Sequence, residues 1–132
     1  MKYAELITKD FPIILIKTNP IDPTPQQIEE FFKEVDDYLS QTEGDVVTIS
    51  WNEKAVFISS EARILIGKKA NEITEKHKTR TKASIIVSEG MVAQMMLKAI
   101  ALVYKPMKDA IIVSKLEDGY KKAKEILKLE TA

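Results

Sequence analysis

Ser59 and Ser60 are the residues whose chemistry is easiest to name. They follow the apolar run Ala55-Val56-Phe57-Ile58 and open a segment of helical spacing, which places them at a strand-to-helix junction. A hydroxyl at such a junction has two uses. It can accept a hydrogen bond from the free amides of the first helical turn, or it can carry a phosphate, which the positive end of the helix dipole tolerates. Glu61 and Arg63 follow immediately, Trp51 closes the strand over residues 46–51 and Asn52 opens the polar loop after it, so these residues together make a candidate partner-binding face with Ser60 and Ser59 as candidate phosphoacceptors. The single histidine, His77, stands between Lys76 and Lys78, with Arg80 and Lys82 beyond. No partner for general-base work is spaced around it, so a solvated helix end is expected there.

Much other chemistry is excluded at the outset. The chain has no cysteine and one histidine, which removes disulfides, thiolate ligands, thiol nucleophiles and polyhistidine metal centres. It carries no glycine-rich phosphate loop, no nucleophile elbow and no assembled Ser-His-Asp set. The expectation is therefore a non-enzyme, with no catalytic residue, cofactor or metal.

At 132 residues, with 45% hydrophobic and 30% charged side chains, the chain has the size and composition of one folded domain spanning residues 1–132. Twenty basic residues balance twenty acidic ones, so no nucleic-acid partner is expected. No stretch of roughly eighteen apolar residues is present, and the N-terminus lacks a secretory pattern, so a soluble cytoplasmic protein without membrane insertion is expected. The neutral total hides a dipole: residues 22–45 hold eight acids against Lys33, whereas residues 63–82 hold seven lysines and arginines against Glu72 and Glu75. Such segregation can steer a charged partner or pair two copies, and two solvated helix faces also account for it.

The positioning elements follow from hydrophobic period and caps. Residues 3–8 and 11–17 read as an opening hairpin, the second strand the more buried because its apolar run is nearly continuous. Thr24-Pro25-Gln26-Gln27 combines a cap, a first-turn proline and a capping box, and Ile28, Phe31, Phe32, Val35 and Leu39 then share one helical face. Val46 to Trp51 is a β-branched central strand. A second helix capped at Ser59 or Ser60 buries Ala62, Leu65, Ile66, Ala70 and Ile73. A strand over residues 82–87 precedes a third helix over residues 90–104 with Val92, Met95, Met96, Ala99, Ile100 and Val103 on its stripe. Residues 110–113 form the last strand, and Ser114-Lys115-Leu116-Glu117 reads as a second capping box before a helix burying Leu116, Tyr120, Ala123, Ile126 and Leu127. The result is an α/β domain with a mixed, mostly parallel, five-stranded sheet and about four helices.

This order resembles the STAS fold, the small domain of bacterial anti-sigma factor antagonists of the SpoIIAA kind. The resemblance is sharpest over Val56-Phe57-Ile58-Ser59-Ser60-Glu61-Ala62-Arg63-Ile64-Leu65-Ile66-Gly67, similar to the family's strand, serine pair and apolar helix, in which the second serine is phosphorylated by a partner kinase. It implies that Ser60 matches that serine. Glu61 and Arg63 stand where the family has glycines, no Asp precedes the serines, and Thr48 stands where the family has a strand-terminal Asp. The second half, through Ala83-Ser84-Ile85-Ile86-Val87-Ser88, Lys105-Pro106 and Ile111-Ile112-Val113-Ser114-Lys115-Leu116-Glu117-Asp118-Gly119, is similar to SpoIIAA-like, or STAS/SEC14-like, bacterial proteins. The resemblance implies a regulatory protein-interaction module whose partner is a kinase or anti-sigma-like regulator, or a second copy. The alternative is a small apolar-ligand or lipid binder of SEC14-like type, which requires a cavity of several hundred Å³. Met91 and Met96 are open between core and partner surface, whereas Met95 falls on the buried stripe. Met95→Asp is expected to cost several kcal/mol in urea unfolding, and a fully stable variant would turn that stripe outward.

Overall fold

The computed structural model describes residues 2–52, 58–88 and 110–128 of the chain. Strand β1 (Ala4–Ile7) pairs antiparallel with β2 (Ile13–Thr18), and β2, β3 (Val46–Asn52), β4 (Thr81–Val87) and β5 (Ile111–Val113) then run parallel in the sheet order β1-β2-β3-β4-β5. Helices α1 (Pro25–Gln41), α2 (Ser60–Lys76) and α3 (Leu116–Leu127) are the three among the described residues. The expected third helix over residues 90–104, with Met91, Met95 and Met96, the Lys105-Pro106 stop and residues 55–57 all lie outside the described residues.

Right-handed crossovers between strands added always on the same side carry their helices to one face of a sheet. The packing obeys this. Ile14 and Val46 from one face of the sheet join Phe31, Val35 and Leu39 of α1, with Ile66 and Ile73 of α2 against them. The other face presents Ile13, Leu15, Val47, Ile49, Ile85 and Val87 to α3, which contributes Ala123 with Leu116, Tyr120, Ile126 and Leu127 around it. Strand β3 is central and covered on both sides: Val46 faces the first cluster while Val47 and Ile49 face the second, all at 0% exposure, whereas Thr48, Ser50 and Trp51 are half-buried and Asn52 is exposed.

Local signals explain most element ends. The Thr24 hydroxyl accepts from the Gln27 amide at 3.2 Å while the Gln27 side chain accepts from the Thr24 amide at 2.8 Å, the reciprocal cap expected for α1, with Pro25 in the first turn. Ser59 caps α2 by accepting from the Ala62 amide at 3.2 Å. The N-cap of α3 is Lys115, one residue past the expected Ser114, and Lys115 makes no side-chain cap hydrogen bond. The helix starts one residue late for the Ser114–Glu117 spacing, and Glu117 and Asp118 instead place negative charge in the first turn, where the helix dipole favours it. The strands are also offset slightly from their expected ends: Phe11 and Pro12 belong to the hairpin turn, and Thr48 is the third of seven residues in β3, far from the strand-terminal place the resemblance gave it.

Helix α3 sits unusually close to the sheet because Gly119 and Ala123, four residues apart, face it. A Cβ at Gly119 would lie 3.3 Å from Val87 Cγ2 and 3.6 Å from both Ile49 Cγ2 and Ile85 Cγ2. Gly119→Val therefore forces branched atoms into three fully packed side chains and should lower the unfolding free energy by roughly 1–3 kcal/mol in urea titration. An unchanged midpoint would mean that α3 stands off the sheet.

Candidate functional site

The start of α2 follows the carboxyl end of β3, the side of a parallel sheet where α/β proteins commonly place ligands and partners. Here the backbone amide of Ser59 donates to Asp22 Oδ1 at 3.0 Å, tying the β2–α1 connection to the helix N-terminus. Its hydroxyl is engaged by the Ala62 amide. Ser60 differs. It is exposed, and Arg63 Nη2 donates to its Oγ at 3.2 Å. The two serines thus have opposite surroundings for an anion, since a phosphate on Ser59 would approach the Asp22 carboxylate whereas one on Ser60 would meet the Arg63 guanidinium and the helix dipole.

Glu61 and Arg63 are exposed beside Ser60, and Ile64, one turn after Ser60, is 72% exposed, the more exposed of two large apolar side chains at the surface among the described residues. Trp51 is not part of this group. Strand alternation turns it to the α3 side of the sheet, half-buried against the cluster there, with Lys17 Nζ 5.4 Å from its ring centre. Asn52 is exposed at the end of β3, in register with Thr18. The structure therefore gathers Ser59, Ser60, Glu61 and Arg63 with Ile64, and places Trp51 on the opposite face.

His77 requires a correction. It was expected in solvent, yet it is 8% exposed and its Nε2 lies 2.8 Å from Asp36 Oδ1. Lys76 Nζ reaches Asp36 Oδ2 at 2.9 Å. Both come from the end of α2, and Asp36 comes from the middle of α1, so the acidic and basic stretches meet inside the molecule. Arg80 continues this seam: its guanidinium donates to the carbonyls of Leu39 and Gly44 and to Thr42 Oγ1, satisfying and neutralising the C-terminal end of α1. Lys82 lies 3.6 Å from Asp45. These six contacts span 36 to 41 residues in sequence, and no local spacing announces them; Asp36 and Asp22 were missed for that reason.

The Asp36 carboxyl is held below the ordinary carboxylate range, first by the His77 hydrogen bond and then by Lys76. Burial pushes the Tyr3 and Tyr120 hydroxyls upward, and Tyr120 is raised further by the Asp10 carboxylate beside it. No cluster of His, Asp and Glu able to hold a metal occurs among the described residues, and no helix there is long and apolar enough to cross a membrane. Two grooves, of about 480 and 200 Å³, are open to solvent, the first between β1 and α1 and the second between α1 and α2. No protein-family model matches the chain, and comparison with curated proteins gives no match.

A depressed carboxyl contributes stability that is complete above its unfolded value, near pH 4, and is lost as pH falls through the lower folded value. Asp36→Ala should therefore cost roughly 1–3 kcal/mol at pH 7, with His77 left without its partner. The difference from the parent should shrink as the pH is taken below about 4. A gap unchanged from pH 7 to about 3 would show that the charge of Asp36 contributes nothing.

Proposed function

We propose that this chain is a non-catalytic regulatory module of STAS type, recognised by a protein partner at the start of α2 and controlled by phosphorylation of Ser60. The observation that carries the reading is the exposed Ser60 hydroxyl held at 3.2 Å by Arg63, one turn from an exposed Ile64. An apolar side chain ringed by polar groups is what a small docking site requires, and truncating such an anchor costs a complex far more than its polar neighbours do. A phosphate at Ser60 changes the charge of this surface by about −1.5 to −2 while the helix dipole and Arg63 accommodate it, so the fold survives and the partner is released or recruited. The reading needs no catalytic group. The sequence order, five-stranded mixed sheet and serine pair all support it through the resemblance.

The test combines mass and partner retention in protein isolated from its native cells. The parent should gain the mass of one phosphate that Ser60→Ala lacks, and Ile64→Asp should lose the co-purifying partner while its stability changes by no more than about 0.5 kcal/mol. Ser60→Asp should alter partner retention. Absence of phosphate under every growth condition, with both variants keeping every partner, would leave Ser59 and Ser60 as ordinary helix-start residues and overturn the proposal.

A further inference from the structure

A second surface, remote from the serines in sequence and fold, has the geometry for strand addition. Strand β1 is the outermost strand of the sheet, and no other described strand pairs with its outer side. The Asn19 amide donates to the Tyr3 carbonyl at 2.9 Å, which makes Tyr3–Asn19 a hydrogen-bonded pair. In an antiparallel ladder such pairs alternate, so Glu5 and Ile7 bond β2 while the N–H and C=O of Ala4 and Leu6 turn away from it; Ala4 is fully buried, and Leu6, half-buried, is the position on β1 that an added strand can reach.

Beside that edge lies the groove of about 480 Å³, with Leu6 on the β1 wall and Tyr38 on the α1 wall. Its α1 rim carries Glu30, Glu34 and Asp37, against Lys33 on the same helix and Lys2, which reaches Glu34. Each carboxylate is occupied only at the surface: Glu34 by Lys2 at 2.9 Å, Asp37 by Lys33 at 2.8 Å and Glu30 by the Gln26 amide at 3.0 Å. Exposed pairs of this kind are worth roughly 0–1 kcal/mol and exchange readily for a stronger partner. Glu30 to Glu34 advances about 6 Å along the helix and Glu34 to Asp37 about 4.5 Å, while two residues of an extended strand advance about 6.8 Å. A strand added to β1 therefore presents every second side chain to the helix at nearly the spacing of Glu30 and Glu34, and a long lysine or arginine side chain spans the offset of about 3 Å that has built up at Asp37.

We propose that the outer edge of β1, with the acidic row of α1 beside it, binds an extended cationic peptide as an added strand, its alternate lysine or arginine side chains lying along Glu30, Glu34 and Asp37. The main chain of Leu6 supplies the backbone hydrogen bonds and the row supplies the choice of charge, the division of labour usual for strand addition.

The test uses the full chain and two nine-residue fluorescent peptides of the same composition, one alternating lysine with threonine or valine and one with its lysines in a single block. The alternating peptide should bind at least about tenfold more tightly than the blocked one, and the amide shifts it causes should fall on residues 4–8 and 30–41. Leu6→Pro removes an outward N–H that β2 does not use, and Leu6→Ala gives up the same core packing but keeps that N–H; both should melt below the parent, and only Leu6→Pro should lose about tenfold or more in affinity. Glu30→Gln with Asp37→Asn should weaken binding and flatten its salt dependence. Equal binding of the two peptides, unchanged binding by a folded Leu6→Pro variant, or a dimer of the chain alone that Leu6→Pro dissolves would each overturn the proposal, the last by assigning the edge to a second copy.

Discussion

Burial of β3 on both faces is the constraint on which the remaining structure depends. Val46 on one side and Val47 and Ile49 on the other are all fully enclosed, so neither face of the sheet can be left to water. One layer of helices cannot satisfy that. The chain meets it by sending α1 and α2 to one side through crossovers and returning α3 to the other, where Gly119 and Ala123 let the helix descend onto Ile49, Ile85 and Val87. Parallel pairing of β2 through β5 puts the ends of these strands on one edge, and the start of α2 follows from there.

The two helices of the first layer are not equally committed to the core. Helix α1 buries Ile28, Phe31, Val35 and Leu39, whereas α2 buries only Ala62 and rests on α1 through half-buried Ile66 and Ile73. What α2 lacks in apolar contact is partly replaced at its far end, where Lys76 and His77 share Asp36. A helix so held keeps a free outer surface, which is where Ser60, Ile64 and Arg63 stand. Its apolar anchorage and its candidate recognition surface are thus two consequences of one weakly amphipathic sequence.

Much of this was legible in the residues because the signals are local. The capping box at Thr24, the stripe of α1, the β-branched run of β3 and the inward set of α3 each depend on neighbours within a few positions, and each formed where the spacing placed it. What was not legible depends on residues distant in sequence. His77 looked solvated among lysines because its partner, Asp36, lies 41 residues away on another helix. Trp51 looked like a neighbour of the serines because the chain order is close, but strand alternation sends it to the α3 side. The N-cap of α3 falls one residue past Ser114, a margin that sequence spacing does not resolve. Gly119 was read within a resemblance and not as a point of close helix–sheet contact, since that role depends on three side chains from two strands.

Native-state hydrogen exchange followed amide by amide tests this arrangement most directly. If the doubly covered β3 is the centre of the fold and α2 is a lightly anchored helix, the amides of Val47, Ile49 and Ile85 will exchange only through global unfolding, with free energies matching denaturant titration. Amides along α2 will exchange through a smaller opening that leaves the sheet intact. Equal protection of α2 and β3, rising together with global stability, would contradict it and make α2 an integral part of the core.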